Sequence, residues 1–164
     1  MPELLYEVKD HVATITLNRP AKLNAWTQVM EQEVRSVMEA AAADQAARVI
    51  IVTGAGRGFC AGADLDRMKA SLESGTRGTL ARHDASADGL SGIEVNYQQR
   101  FSYLLRVPKP IIAAINGPVA GIGLCFALFT DLRYIAPSAK VTTAIARRSM
   151  TPTARRIPVR PAQE

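Results

Sequence analysis

Aromatic residues are scarce in this chain of 164 residues, at 5% of the sequence, and they are not interleaved with basic side chains. Proteins that bind single-stranded nucleic acid need such interleaving, because bases stack on aromatic rings while cations hold the phosphates. The formal net charge of +5 does not replace it, because most of the charge lies at one end. Residues 147–164 carry five arginines and one glutamate, so +4 lies there and +1 in the rest. A nucleic-acid partner is therefore not expected.

Cysteine and histidine are rare, with two residues of each. Cys60 and Cys125 show neither a Cys-x-x-Cys spacing nor a nearby histidine, so neither a metal site nor a disulfide framework is expected. Each is interpreted as a small buried side chain. No apolar run reaches the roughly 18 to 20 residues of a membrane span, and the start, Met1-Pro2-Glu3, lacks the basic-then-apolar layout of a signal peptide. We therefore expect a cytoplasmic protein with no membrane partner.

Hydrophobic residues make up 48% of the chain, enough for the core of one globular domain. Alternating apolar and polar residues predict a β-hairpin over residues 4–17, with His11 in its solvated turn. The continuous apolar run at residues 49–52 predicts a strand buried on both faces. Between them, apolar residues at steps of three and four predict a helix that begins at Thr27 and shares one face among Met30, Val34, Val37, Met38 and Ala41. This order of elements indicates the α/β class.

The rest of the chain predicts a second set of elements. Residues 73–92 have the composition of a surface loop. A helix is expected to follow, with Ile93, Tyr97, Phe101, Leu104 and Leu105 on one face and its end at Pro108. Then come a buried strand (111–115), a short apolar helix through Leu128, and two short strands (131–136 and 139–144). We therefore predict one domain over residues 1–148 and a Pro/Arg-rich tail over 149–164 that need not fold.

Two segments share the order of a buried strand, a glycine-containing loop and a helix start. In the first, strand 49–53 leads into loop 54–62 and to Asp64, which is predicted to be a helix N-cap. In the second, strand 111–115 leads into loop 116–123. Helix N-termini present unpaired N–H groups with a positive partial charge, and loops without side chains let a ligand reach them. Two such ends can clamp the oxyanion of an enolate. Packing alone is the other explanation for the glycines.

Three blocks of this sequence resemble the enoyl-CoA hydratase/isomerase (crotonase) family. They are Asn18-Arg19-Pro20 with Leu23-Asn24-Ala25, then residues 57–65 (RGFCAGADL), then residues 109–117 (KPIIAAING), in the order and spacing of the family. The resemblance covers residues 4–148. It implies the crotonase-like ββα-spiral fold, incomplete at the C-terminus, with acyl-CoA as the ligand and an oxyanion hole for its thioester carbonyl. No bound cofactor is implied, because coenzyme A is part of the substrate.

The resemblance also implies site residues. The main-chain N–H groups of Ala63 and Ile122 would form the oxyanion hole. The path of coenzyme A would run along Lys22, Leu23, Ala61, Gly62, Ala63, Asp64, Leu65 and Gly121. Hydratases of the family handle water with two glutamates, and the matching positions here hold Cys125 and Ile145. Neither side chain can replace a carboxylate as a base. Cys125 is interpreted as a buried structural thiol, and Asp131, the nearest acid, as a structural residue.

The resemblance further implies a C-terminally truncated or frame-shifted member. Complete members continue past the position of Arg148 with helices that close the acyl pocket and build trimers or hexamers, and such assembly is not implied for this chain. An alternative, the cofactor loop of a short-chain dehydrogenase at residues 53–60, fails because Cys60 replaces its last glycine and no Tyr-x-x-x-Lys pair is present. A catalytically silent acyl-CoA-binding or assembly protein, or an inactive fragment, stays open beside an acyl-CoA enzyme.

Overall fold

A computed structural model of the chain describes residues 2–64 and 100–143. The strands in these ranges are Leu4–Lys9 (β1), Val12–Leu17 (β2), Val49–Gly54 (β3), Ile111–Ile115 (β4), Val119–Ala120 (β5), Leu132–Ile135 (β6) and Val141–Thr142 (β7). The helices are Gln28–Ala43 (α1) and Gly121–Leu128 (α2), with shorter 3-10 turns at Pro20–Lys22 and Ser102–Arg106. The loop predicted at 73–92, the residues Leu65 and Ile145, and the tail at 149–164 lie outside the described residues.

The predicted hairpin is confirmed. β1 and β2 pair antiparallel, with Lys9 opposite Val12, and the two residues between them form the turn. These are Asp10 and His11, with φ angles of 49° and 65°. Positive φ at both positions matches the twist of the flanking strands. His11 is exposed in the turn, where its Nδ1 atom lies 2.9 Å from the Ala46 carbonyl oxygen.

Helix α1 is also confirmed, and it begins as predicted. Thr27 is its N-cap, with the side-chain oxygen accepting a hydrogen bond from the Met30 N–H at 2.9 Å. Such a cap satisfies one of the N–H groups that the first turn leaves unpaired. The predicted apolar face points into the core, where Met30, Val34, Met38 and Ala41 are buried. Val37 packs against this core from a partly buried position.

The sheet has the order β1-β2-β3-β4-β6, and every pairing after the first is parallel. Alternate residues of the three central strands are fully buried, and those between them are half-buried. The prediction that β3 is buried on both faces is therefore wrong for one face, which is only half-buried. Parallel strands end at the same edge of a sheet. The glycine loops that follow β3 and β4 therefore begin side by side.

The helix predicted to end before Pro108 differs in its described part. Ser102–Arg106 is a 3-10 helix, in which Leu104 is buried and Leu105 is 60% exposed. A 3-10 helix has three residues per turn, so a residue aligns with the third one after it and not with the fourth. Phe101 and Leu104 therefore share the buried face, and the predicted place of Leu105 on that face is wrong. Ile93 and Tyr97 lie outside the described residues.

Three aromatic rings join these elements in the core. Trp26, which precedes α1, packs against Phe101 and against Phe126 of α2, with ring centroids 5.4 Å and 5.3 Å apart. Phe101 and Phe126 also contact each other, at 5.4 Å. The rings fix α2 relative to the chain that leads into α1. Neither of the two α-helices in the described ranges is long and apolar enough to cross a membrane.

The C-terminal end of α1 is held by a lysine from a distant part of the chain. The Lys109 ammonium donates to the carbonyl of Ala41, at 2.7 Å, and to the carbonyl of Asp44. A cation at this position satisfies carbonyls that the helix leaves unpaired and complements its dipole.

We expect Lys109→Met to lower the free energy of unfolding by about 1 to 2 kcal/mol, measured by urea denaturation. Lys9→Met, at an exposed position, is the control, and an equal effect of both substitutions would contradict this role.

Candidate functional site

The two glycine loops pair with each other through their backbones. The Cys60 N–H donates to the Pro118 carbonyl at 3.2 Å, and the Cys60 carbonyl accepts from the Ala120 N–H at 2.9 Å. The two bonds make a parallel bridge between Cys60 and Val119. Val119 in turn donates to the Lys140 carbonyl on its other side. The end of the first loop and the start of α2 are thus neighbours in a small backbone ladder.

Two glycines allow the loops to approach this closely. A Cβ atom at Gly117 would lie 2.0 Å from the Arg57 carbonyl oxygen. A Cβ atom at Gly123 would lie 2.5 Å from the Cβ of Cys60 and 2.6 Å from its sulfur. Separations under 3.0 Å are sterically forbidden unless something shifts. Packing between the loops therefore accounts for glycine at these two positions.

Two asparagine side chains from distant parts of the chain hold the first loop. Asn24 is fully buried, and its amide nitrogen donates to the carbonyls of Ala55 and Gly58 at 3.0 and 2.8 Å. Asn116, at the start of the second loop, donates to the carbonyls of Gly54 and Gly56, both at 2.9 Å. Its side-chain oxygen accepts from the Gly54 N–H at 3.2 Å. Residues 55–58 lie past the end of β3, and the two side chains bond four of the five carbonyls of residues 54–58.

The direction of the Ala63 N–H follows from the bonds on either side of it. The Trp26 N–H donates to the Gly62 carbonyl at 2.8 Å, and the Asp64 N–H donates to the Trp26 carbonyl at 3.1 Å. No peptide bond in the described ranges is cis. In a trans peptide the C=O and the following N–H point in opposite directions. Because the Gly62 carbonyl faces Trp26, the Ala63 N–H points away from Trp26.

The start of α2 lies against this same stretch. A Cβ atom at Gly62 would lie 3.5 Å from the Ala120 carbonyl oxygen, and one at Gly121 would lie 4.0 Å from the Gly62 Cα. Ile122 is the second residue of α2, so its N–H is among those that the helix cannot pair internally. Within residues 2–64 and 100–143, neither the Ala63 nor the Ile122 N–H donates to a main-chain carbonyl.

The segment that precedes Asn24 also contacts the first loop. The Ala61 N–H donates to the Leu23 carbonyl at 3.0 Å. Lys22 is exposed and Leu23 is half-buried. The structure thus brings Leu23 next to Ala61, and Gly62 next to Gly121. Of the residues assigned to the path of coenzyme A, Leu65 lies outside the described part of the chain.

Asp64 has a partner that the sequence did not reveal. Its carboxylate pairs with the Arg19 guanidinium at 2.8 Å, and its side chain is only 11% exposed. Arg19 also donates to the Ala25 carbonyl at 2.6 Å and pairs with Glu3 at 3.2 Å. A buried carboxylate needs a cation nearby, but pattern alone does not say which. Whether Asp64 also caps a following helix, as predicted, depends on residues outside the described ranges.

The two cysteines differ in exposure. Cys60 is fully buried, and burial raises the pKa of its thiol to about 11. Cys125 is exposed, so its interpretation as a buried thiol is wrong. The reason is its place on α2, where Gly123, Phe126 and Ala127 face the core and leave Cys125 on the outer side. Asp131 has a structural role, because its carboxylate accepts from the Ile111 N–H at 2.7 Å. No metal-binding group of histidine, cysteine and acidic side chains occurs among the residues described.

Comparison with known proteins shows the family of the chain. The sequence model of the family described as enoyl-CoA hydratase/isomerase matches residues 7–161. A 1,2-epoxyphenylacetyl-CoA isomerase of Escherichia coli is 35% identical over 152 residues, which is 93% of this chain and 54% of the relative. A probable enoyl-CoA hydratase of Rhodobacter capsulatus is 33% identical over 153 residues, covering 91% of this chain and 52% of its own. The chain thus spans about half the length of these relatives.

Solved structures give the same result. The structure of PA4980 from Pseudomonas aeruginosa superposes with a TM-score of 0.68 at 31% identity, covering 86% of this chain and 55% of its own. A putative enoyl-CoA hydratase/isomerase from Mycobacterium abscessus gives a TM-score of 0.67 at 29% identity, covering 86% and 51%. The fold is therefore the mixed α/β fold of the crotonases. The chain belongs to the enoyl-CoA hydratase/isomerase family. The family match also reaches past residue 148, and the assignment of residues 149–164 to a separate tail stays a prediction.

The difference in exposure predicts how the two thiols react. We expect a disulfide reagent such as DTNB to modify one thiol per folded chain rapidly at pH 8, and Cys125→Ser to abolish this phase. Cys60 should react only on unfolding. The pKa of its thiol, about 11, lies above the pH range of the assay. Raising the pH from 7 to 9 should therefore not convert Cys60 to the reactive thiolate. Two fast thiols in the native protein would contradict the burial of Cys60.

The packing of the loops predicts unequal effects of two neighbouring glycine substitutions. A Cβ atom at position 121 would make an ordinary van der Waals contact, 4.0 Å from the Gly62 Cα, so Gly121→Ala is penalised mainly by its φ of 48°, at about 1 kcal/mol. Gly123→Ala meets Cys60 and should lower the free energy of unfolding by about 2 to 3 kcal/mol. Adding Cys60→Ala should not restore stability, because the Cβ of residue 60 stays 2.5 Å from the new atom. Thermal unfolding measures all three variants, and equal costs at positions 121 and 123 would contradict the loop contact.

Proposed function

We propose that this chain binds acyl-CoA thioesters and that the N–H groups of Ala63 and Ile122 donate to the thioester carbonyl. The observation that carries the proposal is the orientation of the Ala63 peptide. Its N–H points away from Trp26, on a stretch that packs against the first residues of α2. Two preorganised donors at one carbonyl oxygen stabilise the negative charge that develops when the thioester becomes an enolate.

The proposed path of coenzyme A follows the same residues. Leu23, which follows Lys22, accepts a hydrogen bond from the Ala61 N–H, and the next residue, Gly62, lies against Gly121. An exposed lysine at position 22 suits the phosphates of coenzyme A. The backbone at Gly62 and Gly121 has positive φ angles of 108° and 48° and carries no side chain to block a thioester. Ala63 and Leu65 continue this path in the proposal, with Asp64 between them in the sequence.

The chemistry that follows binding is where the chain departs from a hydratase. Hydration of an enoyl thioester needs a base to activate water and an acid to protonate the α-carbon, each worth about 10² to 10⁴-fold in rate. Cys125 and Ile145 stand at the positions that the resemblance assigns to these groups. Cys125 lies three residues after Ile122 on α2, and residues at this spacing share a helix face. We therefore propose that the thioester is held and polarised while the hydration step is slow.

A second candidate is a catalytically silent acyl-CoA-binding or assembly protein, or an inactive fragment of the family. The exposed thiol of Cys125, in place of a carboxylate, favours it. The two candidates share the binding step and differ in turnover. Both candidates are proposed as cytoplasmic proteins. Neither includes the trimers or hexamers of complete family members, because the resemblance does not imply that assembly for this chain.

An assay of crotonyl-CoA hydration tests the function. The loss of the enoyl thioester absorbance measures the rate. We expect the wild-type chain to be slow. Cys125→Glu combined with Ile145→Glu should raise the rate by about 10² or more, because the double variant adds carboxylates at both positions. The assay is run on this chain and on one extended by the C-terminal segment of a relative. A rise confined to the extended chain would show that the acyl pocket must close to exclude water.

Two substitutions control for a base elsewhere in the molecule. Cys125→Ala removes the thiol, and Asp131→Asn removes the carboxylate while keeping a side-chain oxygen for the Ile111 N–H. Neither should change a slow basal rate. Brisk hydration by the wild type that persists in both variants would show that the base lies elsewhere and that this account of the site is wrong. Acyl-CoA binding without turnover in any variant would support the silent protein.

A further inference from the structure

We propose that Arg19 and Asp64 are positioning residues, whose ion pair fixes the Ala63 N–H relative to the segment that contacts coenzyme A. This inference rests on the proposed function and deepens it. It changes the part given to Asp64, which would act through Ala63 rather than by touching the ligand. The contacts of the two side chains carry the inference.

Asp64 is held both by its main chain and by its side chain. Its N–H donates to the Trp26 carbonyl at 3.1 Å, and its carboxylate pairs with Arg19 at 2.8 Å. The residue directly before it is Ala63, whose own N–H has no main-chain acceptor in the described ranges. Fixing residue 64 in two directions restricts the rotation of the chain that sets where the Ala63 N–H points.

Arg19 connects Asp64 to the segment from Lys22 to Ala25. The guanidinium nitrogen that pairs with Asp64 also donates to the Ala25 carbonyl at 2.6 Å. The main-chain N–H of Arg19 donates to the side-chain oxygen of Asn24 at 2.8 Å, and the Arg19 carbonyl accepts from the Lys22 N–H at 3.0 Å. One residue thus sets both the segment from Lys22 to Ala25 and the carboxylate next to Ala63. The planar guanidinium can serve two acceptors in fixed directions, which an ammonium group does less well.

The network also reaches the start of α1. Arg19 pairs with Glu3, and the other carboxylate oxygen of Glu3 accepts from the hydroxyl of Thr27, the N-cap of α1. The side chains of Arg19 and Glu3 are 21% and 24% exposed, so water screens the pair only in part. The frame that aims the Ala63 N–H is therefore anchored at the residue before β1 and at the N-cap of α1.

Charge gives the ion pair a second effect on the site. Asp64 is an anion one residue from a group proposed to stabilise an oxyanion, and a carboxylate there without a counter-ion would oppose negative charge on the ligand. Arg19 compensates this charge at a contact of 2.8 Å. The pair therefore lets the chain use a buried carboxylate as an anchor beside a site for negative charge.

Binding of two ligands separates a positioning role from a merely structural one. Coenzyme A lacks the thioester carbonyl, and butyryl-CoA carries it but has no double bond to hydrate. Titration calorimetry on the full chain gives the ratio of the two dissociation constants. We expect the wild type to prefer butyryl-CoA, and Asp64→Asn to lose about tenfold of that preference, the scale of one misaligned hydrogen bond. Its affinity for coenzyme A should change by less than about twofold.

Arg19→Lys is the second variant, because it keeps the charge and loses the fork. It should weaken the binding of coenzyme A and also reduce the preference for butyryl-CoA, since Arg19 holds the segment from Lys22 to Ala25. Glu39→Gln is the matched control, because it removes a carboxylate from the exposed pair with Arg35 on α1. That variant should keep both dissociation constants. Thermal unfolding shows which variants are folded. If Asp64→Asn is not folded, the ratio of the two dissociation constants of Arg19→Lys decides whether the ion pair has the positioning role.

The outcomes separate the two proposals. A wild type that binds butyryl-CoA no better than coenzyme A would contradict the proposed function itself. A wild type with the preference, and folded Asp64 or Arg19 variants that retain it, would overturn the positioning role and leave the proposed function standing. Loss of the preference in Asp64→Asn with retained affinity for coenzyme A supports the inference, because a general loss of structure would weaken both ligands equally.

Discussion

The backbone of Cys60 lies between Pro118 and Ala120 and is hydrogen-bonded to both. The arrangement of the site depends on this pairing, because it joins the loop after β3 to the first turn of α2. The two loops start at the same edge of a parallel sheet, but a shared edge alone does not set their distance. The backbones meet only because no side chain stands between Gly117 and Arg57, or between Gly123 and Cys60. Burial of Cys60 then closes the core beneath the contact.

Hydrogen bonds from polar side chains hold the backbone of the first loop, as hydrogen bonds between neighbouring strands hold the backbone of a sheet. Asn24 and Asn116 satisfy the carbonyls of loop 54–58, and Arg19 holds the chain on either side of Asn24. All three residues lie outside the loop that they hold. Loops fixed in this way can present N–H groups to a ligand without rearranging when it binds, and preorganisation of this kind is what electrostatic catalysis needs. Arg19, Asn24 and Asn116, which belong to the blocks that resemble the family, thus hold the backbone of the site in this fold.

The elements that the sequence predicted correctly are those determined by local periodicity. The hairpin, α1, β4 and α2 follow from alternation, from three-and-four spacing and from turn residues, and they agree with the structure. Leu105 and Cys125 were placed wrongly, because apolar spacing does not distinguish a 3-10 turn from an α-helix, and a short helix that is apolar all round does not show which side is covered. The strand β5 and the direction of the Ala63 peptide depend on pairing with distant segments, which no local pattern contains. The roles of Ala63 and Ile122 stay predictions.

The central claim is that the amides of Ala63 and Ile122 together hold a thioester carbonyl. Two-dimensional ¹H–¹⁵N NMR of the labelled chain tests it most directly, by comparing the amide resonances with coenzyme A and with butyryl-CoA at saturation. A hydrogen bond to the carbonyl moves an amide proton downfield, and coenzyme A alone cannot form it. We expect downfield shifts of the Ala63 and Ile122 amide protons with butyryl-CoA only. Equal shifts with both ligands, or no shift of either amide while butyryl-CoA is bound, would contradict it.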